Sequence, residues 1–258
     1  MSEGSFGLIV PPSNPTLEVE IRELLGASPH LYTSRLPFCE HPDLDRRHSI
    51  YQEACLDTAL RFGTLPLLGI IVGCTGSFYC LGPHEDWRRC QEISGRLGMP
   101  YLTASLASLT LIKSLGFTRI QLEMPYPDWL ITQAVDYFRA AGLEVVATHS
   151  LLRSIGVNHP YEIEEADLKV VLQKLQVEPN TLVFLSGTGL FSLEAHQEVV
   201  QKAEVPLLSA NLSIANWLLG QLEPPGRGSV MLRQLMARLE GWAPAISDHG
   251  PDLMFNPW

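Results

Sequence analysis

The sequence predicts an α/β protein with two parallel-sheet lobes that face each other across a pseudo-two-fold axis. Short apolar runs that stop at glycine, proline or small polar residues alternate with stretches of helical spacing, which is typical of parallel sheets flanked by helices. The alternation occurs twice, and matching segments lie a nearly constant distance apart. A repeat of this length fits two domain-sized α/β units better than a solenoid.

The repeat is clearest where two apolar runs end. Gly73-Cys74-Thr75-Gly76-Ser77-Phe78 is followed, 113 residues later, by Ser186-Gly187-Thr188-Gly189-Leu190-Phe191. Two further pairs of positions match, the second at a shift of 106 residues: Pro12 with Pro125, and Met99 with Val205. If the two units face each other, the cysteine of the first segment and the glycine of the second lie on opposite walls of one cleft.

In the first unit, apolar runs are predicted as strands and the stretches between them as helices. Strands are expected at 6–11, 31–38, 68–73 and around Tyr101, and helices at 17–25, 41–62, 84–97 and 106–115. Asn14 and Thr16 supply turn and cap residues before the first helix. Gly116 ends the fourth helix.

The second unit repeats this order. Strands are expected at 119–124, 143–148, 181–186 and around Leu207, helices at 128–141, 161–175, 193–203, 211–222 and 229–239, a loop at 150–160 and an irregular tail from Trp242. The last helices are expected to return to the first unit. The predicted division is therefore 1–105 plus 211–258 for lobe one, and 106–210 for lobe two.

Composition limits the classes of function. The 258 residues are 46% hydrophobic and 18% charged, which is typical of a globular protein with a real core. A net charge of −10 argues against nucleic acid or an anionic membrane as partner, whereas a small anionic substrate stays compatible. The five cysteines form no CxxC pair and no disulfide framework, which favours a reducing cytoplasm. No apolar run approaches the ~18 residues of a membrane span, so a membrane protein or an exported protein is not expected.

Cys74 is the candidate for chemistry in the first unit. It ends a buried strand, where open α/β folds place their ligands. Gly73 and Gly76 allow a sharp turn, and the amides of Thr75, Gly76 and Ser77 would favour a thiolate or an anionic substrate group. A buried and inert cysteine is the alternative that the residues alone leave open.

Familiar cofactor motifs are absent from the sequence. There is no GxGxxG after a strand, no Walker A motif, no HExxH and no GxSxG. The acidic and histidine groups at 84–86 and 194–196 lack partners at ligand spacing, and they are expected to be solvated helix positions. We therefore expect no metal and no cofactor.

Four segments in order resemble one enzyme family. Residues 7–18 resemble the opening of maleate cis-trans isomerases and arylmalonate decarboxylases, a branch of the aspartate/glutamate racemase superfamily. Residues 74–77 look like the first cysteine motif of that branch, and 124–127 like its Thr-Pro-Tyr segment. Residues 186–188 stand where the family usually has Ser-Cys-Thr. The likeness covers nearly the whole chain and implies a cofactor-free enzyme with two Rossmann-like lobes and a site between them.

The resemblance assigns roles to individual residues. It implies that Cys74 and Tyr126 are catalytic, with Cys74 as base or nucleophile. The residues implied to bind substrate are Asn14, Thr75, Gly76, Ser77, Asn158, Gly187 and Thr188. Simpler roles stay open for three of these positions: turn capping for Asn14 and Asn158, and an ordinary buried phenol for Tyr126.

The departure from the family lies at Gly187, because two-cysteine members have their second thiol there. The decarboxylases keep only that second cysteine, whereas this chain keeps only the first. We expect the missing side chain to widen the cleft and admit a bulkier α-substituent.

Three functions are compatible with this arrangement. The first is a cofactor-independent isomerase or racemase of a small carboxylic acid that forms an enediolate or a thiol adduct. The second is an arylmalonate-type decarboxylase with Cys74 as sole proton donor, and the third is an inactive carboxylate-binding homologue. A homo-oligomer is compatible with all three. Glu123 is unusual at a buried strand end, and it is expected either to point to solvent or to be a substitute acid or base with its pKa raised by burial.

Overall fold

The computed structural model describes residues 4–27, 29–40, 43–202, 205–225 and 228–244, and these form two four-stranded parallel sheets. The first sheet and its helices comprise β1 Ser5–Val10, α1 Leu17–Leu25, β2 His30–Arg35, α2 Leu44–Leu60, β3 Gly69–Val72, α3 Gly76–Tyr79, α4 Gly82–Leu97, β4 Tyr101–Thr103 and α5 Ala104–Ser114. Its strand order is β2-β1-β3-β4. The α/β prediction is confirmed for this half.

The second half has the same order of strands. It comprises β5 Arg119–Met124, α6 Asp128–Ala140, β6 Glu144–Ser150, α7 Leu151–Ile155, α8 Glu165–Leu172, β7 Thr181–Leu185, α9 Leu193–Lys202, β8 Leu207–Ser209, α10 Ala210–Gly220 and α11 Val230–Trp242. The sheet order β6-β5-β7-β8 repeats that of the first sheet. The duplicated architecture predicted from the sequence is therefore confirmed. None of the helices in the described ranges is long and apolar enough to cross a membrane.

The central strands are buried on both faces, and this fixes where they end. Every residue of β3 and β7 is buried, and in β1 and β5 only the first residue is not. The edge strands β2 and β6 are largely exposed or half-buried. Because parallel strands point the same way, the turns after β1 and β3 meet at one edge of their sheet, as do those after β5 and β7.

The predicted elements differ from the structure in a few places. The predicted loop 150–160 contains the short helix α7, because the Ser150 side chain accepts a hydrogen bond from the Arg153 amide and caps it. The predicted helix 161–175 is instead a single 3-10 turn, Pro160–Glu162, followed by α8. Residues 41 and 42, residue 203, and the predicted tail beyond 244 lie outside the described residues.

Hydrogen bonds between strand ends refine the repeat. The Gly73 amide donates to the Ile9 carbonyl (2.8 Å), and the Ser186 amide donates to the Glu123 carbonyl (3.0 Å). Equivalent residues of the two halves are thus 113 positions apart in β3 and β7 but 114 positions apart in β1 and β5. Pro11, rather than Pro12, is consequently the counterpart of Pro125, and the predicted pairing was wrong by one residue.

The helices that follow the last strand of each sheet are also related by the repeat. The Thr103 hydroxyl caps α5 by accepting from the Leu106 amide, and Ser209 caps α10 in the same way through Leu212. Helices α5 and α10 pack against each other, and α10 also packs on α1. These contacts join the two halves, while the lobe boundaries after residues 105 and 210 stay predictions.

A buried carboxyl group also links the two halves. Glu20 on α1 is 3% exposed and accepts hydrogen bonds from the amides of Ser192 and Leu193 at the start of α9, and from the Asn211 amide group. Burial raises the pKa of Glu20 from 4.5 to about 7, although these donors act in the opposite direction. Folding is therefore coupled to protonation of this carboxyl.

The coupling predicts that the free energy of unfolding falls as pH rises from about 4.5 to about 7. Below this range Glu20 is protonated in both states, whereas within it the unfolded chain ionises first, which favours unfolding by up to about 3 kcal/mol. In Glu20→Gln this contribution to the pH dependence should disappear, because glutamine does not titrate. The fold should accept the new amide, since Asn211 can turn its unpartnered Oδ1 towards it. Urea unfolding at about pH 5 and about pH 7.5 measures the difference.

The exposed Glu23→Gln on the same helix is the matched control and should keep the wild-type pH dependence. An unchanged pH dependence in Glu20→Gln would show that this carboxyl has its ordinary pKa in the folded protein.

Residues 84–86 and 194–196 were expected to be solvated, but each of these two segments contains one buried titratable residue. Asp86 is 1% exposed and accepts hydrogen bonds from Thr103, Ser105 and Tyr137, and burial raises its pKa to about 7. His196 is fully buried, with Nε2 2.7 Å from the Leu207 carbonyl oxygen. The prediction of solvated positions was therefore wrong for these two residues, because the second lobe covers α4 and β8 packs against α9. Among the described residues no group of three or more His, Cys, Asp or Glu is placed to hold a metal ion.

Candidate active site

The turns that follow the four central strands meet around one cavity of about 510 Å³. Its walls are residues 11–14, 74–76, 125–127 and 187–190, the first two turns of α2 at 44, 47, 48 and 51, the segment 158–161, and the side chains of Leu130 and Leu152. The cavity lies in the ~300–1,000 Å³ range of small-molecule sites. As expected from the repeat, Cys74 and Gly187 line the same cavity.

The predicted site residues gather here with one exception. Those that line the cavity are Asn14, Cys74, Thr75, Gly76, Tyr126, Asn158, Gly187 and Thr188. Ser77 lies behind the wall, fully buried, and contacts the cavity only through Cys74. Their catalytic and binding roles stay predictions.

Cys74 presents a partly buried thiol to the cavity. Its Sγ lies 3.0 Å from the Ser77 hydroxyl oxygen. Burial raises the pKa of the Cys74 thiol above its ordinary value, while hydrogen bonds from the Ser77 hydroxyl and amide lower it. The resting group is therefore the thiol at neutral pH, with donors already in place for the thiolate.

The turn that carries Cys74 depends on Gly73. A Cβ at this position would lie 1.9 Å from Leu17 Cδ2 on α1, so β3 and α1 can approach only because residue 73 has no side chain. This glycine thus sets where the thiol stands.

Hydroxyl groups from both halves form a chain beside the thiol. The Tyr126 and Thr75 hydroxyls are 2.6 Å apart, the Ser186 hydroxyl donates to Thr75 Oγ1 (3.5 Å), and it lies 2.8 Å from the Tyr79 hydroxyl. Burial raises the pKa of Tyr126 to about 12, so its phenol is neutral and available as a donor. The arrangement can stabilise negative charge that develops on a carboxylate in the cavity.

Asn14 and Thr188 connect the first lobe to the second at the cavity floor. The Asn14 amide donates to Thr188 Oγ1 (3.1 Å), and the Thr188 hydroxyl donates to the Gly73 carbonyl (2.8 Å). Asn14 Oδ1 accepts from the amides of Thr16 and Leu17, both at 3.0 Å. Asn14 therefore caps α1, as in the simpler interpretation, and also lines the cavity.

Asn158 is exposed at the mouth of the cavity. Its backbone amide donates to Glu162 Oε2 (3.0 Å), which fixes the turn before α8. The turn leaves its side chain at the wall, so binding of a substrate group by this amide stays a prediction.

Gly187 does not open the space that the sequence led us to expect. Its φ is +97°, and a Cβ there would lie 2.7 Å from Pro125 Cγ and 3.5 Å from the Tyr126 hydroxyl oxygen. The prediction of a wider cleft was wrong at this point, because the Pro125 ring occupies the position of the missing side chain.

Glu123 is buried, as the second of its two expectations requires, and its role as a substitute acid or base stays a prediction. Its side chain is fully buried and does not line the cavity. Its Oε1 accepts from Gln121 Nε2 (2.9 Å) and lies 2.7 Å from His149 Nδ1 on β6. Exposure to solvent was thus the wrong prediction, and no contact connects Glu123 to the Cys74 thiol.

Sequence reasoning missed the contribution of α2. Arg47, His48, Tyr51 and, from the segment before α8, Tyr161 all line the cavity. In the sequence His48 and Tyr51 lie at helical spacing with Leu44 and Cys55, a pattern that indicates a helix but not a cavity wall. Their polar character, next to Arg47 at the start of the helix, was the signal that distinguished this face.

One family model and one curated relative match most of this chain. The family model described as arylmalonate decarboxylase matches residues 63–231. Maleate isomerase from Geobacillus stearothermophilus is 27% identical over 250 residues, which cover 88% of this chain and 96% of that protein.

Two solved structures share the fold at low identity. A cysteine-to-serine variant of Nocardia farcinica maleate cis-trans isomerase, with a covalently bound succinylcysteine intermediate, superposes with a TM-score of 0.75 at 19% identity, covering 90% of this chain and 98% of that one. A liganded arylmalonate decarboxylase, with one glycine changed to cysteine and one cysteine to serine, gives a TM-score of 0.69 at 20% identity, covering 88% and 94%.

The family model covers well over half of the chain, and this chain has the two-lobed α/β fold of the solved relatives. The chain belongs to the arylmalonate decarboxylase family, in the Asp/Glu racemase-like branch.

Proposed function

We propose that this protein is a cofactor-independent isomerase of a small carboxylic acid, with Cys74 as its nucleophile or base. The observation that carries the proposal is that Cys74 has the sole thiol among the cavity-lining residues, beside the hydroxyl pair of Thr75 and Tyr126. A nucleophile and donors for developing carboxylate charge thus face the same space.

Isomerisation of an alkene next to a carboxylate needs only one thiol. The thiol loses its proton to water, and a lone pair of Sγ forms a bond to one alkene carbon. The π electrons move to the neighbouring carbon and its carboxylate as an enediolate, whose charge Tyr126, Thr75 and the Gly76 amide stabilise. The carbon–carbon bond, now single, rotates. The electron pair then returns, the carbon–sulfur bond breaks, and the trans acid leaves. The thiolate recovers its proton from water, so no proton is gained or lost overall.

The relatives support this route. The Nocardia farcinica enzyme holds a succinylcysteine with one of its cysteines replaced by serine. In that protein a cysteine thus holds a four-carbon acid covalently while another cysteine is absent. A two-base racemisation fits less well, because such a reaction needs an acid on each face of the carbon and Gly187 supplies none.

Decarboxylation of a disubstituted malonate is the second candidate, and the raised pKa of Cys74 favours it. In this reaction the bond to one carboxylate breaks, its electron pair forms the enediolate, carbon dioxide leaves, and the thiol gives its proton to the α-carbon. The thiolate then recovers a proton from water. The stereochemistry should be opposite to that of family members with the thiol on the other wall.

An NMR assay in deuterated water separates the candidates. Wild type and Cys74→Ala are compared on maleate, aspartate, arylmalonates and arylpropionates, and alkene geometry, α-deuterium and carboxylate loss are followed together. Cysteine-dependent isomerisation or exchange without carboxylate loss supports the isomerase. Stoichiometric loss of carbon dioxide would replace it by the decarboxylase.

The pH dependence gives an independent prediction through Ser77. As nucleophile, Cys74 acts as thiolate, so kcat/KM should rise with pH through the thiol pKa. In Ser77→Ala the pKa should rise further, because the hydroxyl that lowers it is lost. The rise in activity should therefore move to higher pH, and turnover near neutral pH should fall about tenfold.

Ser114→Ala removes an exposed hydroxyl on α5 and should leave the profile unchanged. A profile that falls with pH in wild type would indicate a thiol acting as proton donor, and a Ser77→Ala profile equal to wild type would exclude Ser77 from setting the thiolate level.

A further inference from the structure

Arg47 places a cation at the cavity wall, and no counterion for it stands among the described residues. It lies on the first turn of α2 and lines the cavity that holds Cys74. Its Nε is buried and has no hydrogen-bond partner, and no acidic side chain within the described residues forms an ion pair with it. A half-buried guanidinium without an anion is unfavourable unless a ligand supplies the charge.

The neighbour of Arg47 is unsatisfied as well. The His48 side chain is 6% exposed, lines the same cavity, and its Nδ1 has no hydrogen-bond partner. Burial, with a smaller effect from Arg47, lowers the pKa of His48 to about 4, so the ring is neutral. Two adjacent polar side chains thus have unused hydrogen-bonding capacity at one wall.

This wall borders the turn that carries the thiol, on the side where Gly76 also contacts Tyr126. His48 Cε1 is 3.5 Å from the position that a Cβ on Gly76 would take. Burial raises the pKa of Tyr51; the Cys74 charge raises it further, and the Arg47 charge lowers it. Tyr51 thus senses the charge of both residues, and all three line the same cavity.

We infer that Arg47 determines substrate specificity by binding an anionic group beyond the two carboxylates of a four-carbon diacid, carried on a side arm of the acid whose reacting carboxylate lies at Thr75 and Tyr126. His48 lies beside this group as a neutral hydrogen-bonding partner. The inference rests on the proposed function for the identity of the reacting carboxylate. A cavity of about 510 Å³ leaves room for an arm beyond a four-carbon acid. The preferred substrate is thus a branched polycarboxylate rather than an aryl- or alkyl-substituted acid.

The test compares two unreactive ligands that differ in one anionic group. Carboxymethylsuccinate and isobutylsuccinate have side arms of similar size and shape, but only the first arm is charged. Their dissociation constants are measured by calorimetry on the Cys74→Ala protein, so that no turnover is required. Carboxymethylsuccinate should bind about 30-fold more tightly, as expected for a hydrogen-bonded charged group. Arg47→Gln in the same background should reduce the ratio to below about threefold.

Two further variants complete the comparison. Arg46→Gln removes an exposed arginine from the same helix and should keep the full preference. Arg47→Lys keeps a point charge without the planar fork and should keep part of it. An equal affinity for the two ligands, a preference that survives Arg47→Gln, or no binding of carboxymethylsuccinate at about 10 mM would overturn the inference.

Maleate turnover by the wild-type protein is measured separately and tests the proposed function. An Arg47-dependent preference without turnover on any acid would support the binding role and remove the isomerase. Turnover of maleate without the Arg47-dependent preference would support the isomerase and remove the binding role of Arg47.

Discussion

Replacing Cys74 by alanine should lower turnover by about 10⁴-fold while carboxylate binding changes little. In every mechanism that the site supports, Sγ either forms the bond to substrate or transfers the proton, and a positioned group of this kind contributes up to about 10⁴-fold. The donors at Thr75, Tyr126 and Asn14 do not depend on the thiol for their own hydrogen bonds. Steady-state kinetics and a binding titration on the same preparation measure the two effects.

The matched control is Cys80→Ala, since this exposed cysteine lies a few residues away and does not line the cavity. Its turnover should equal that of wild type. Comparable activity in Cys74→Ala would remove the thiol from the mechanism. Binding that survives Cys74→Ala, in a protein whose wild type turns over no acid, would indicate the inactive carboxylate-binding homologue.

Gly187→Cys should not restore a two-thiol enzyme, and it should destabilise the fold by about 2–6 kcal/mol. The backbone at 187 has φ of +97°, which costs about 1–3 kcal/mol for a residue with a side chain. Its Cβ would also lie 2.7 Å from Pro125 Cγ and 3.0 Å from Cδ, and overpacking of this kind adds about 1–3 kcal/mol. Urea unfolding measures the loss, and proton exchange at the α-carbon of aspartate measures any gained racemase activity.

Gly142→Cys separates the cost of backbone strain from the cost of side-chain crowding. Gly142 has φ of +85° and no atom within 4 Å of its would-be Cβ, so this variant carries backbone strain without crowding. Gly187→Cys should be the less stable of the two, and adding Pro125→Ala should recover part of the difference, because it removes the ring atoms in contact. Equal stability of Gly187→Cys and Gly142→Cys would show that Pro125 yields to the new side chain.

A side chain at 187 would be crowded in this chain. Pro125 and Tyr126 occupy the wall beside Gly187, and the Tyr126 hydroxyl lies 3.5 Å from the would-be Cβ. A return to the two-thiol arrangement would need at least the Pro125 ring to move. The chemistry of the cavity is consequently asymmetric, with a thiol on one wall and a phenol on the other.

Much of the fold could be predicted because its signals are local. Apolar runs end at 10, 72, 124 and 185 within a residue or two of the predicted positions, since a strand buried on both faces requires continuous apolar sequence. Helix α1 has the predicted bounds because Asn14 caps it and Gly26 follows it. The repeat then determines that both sheets have the same order.

The sequence by itself determined the two-lobed α/β architecture and the residues at the ends of its central strands, Cys74 and Tyr126 among them. Only the tertiary structure decided that the Pro125 ring stands against Gly187, that Glu123 is buried beside His149, and that Arg47 and His48 line the cavity. The reason is physical: strand ends follow from short-range hydrophobic pattern, whereas these contacts join residues far apart in the chain, and their distances depend on how the lobes and α2 pack.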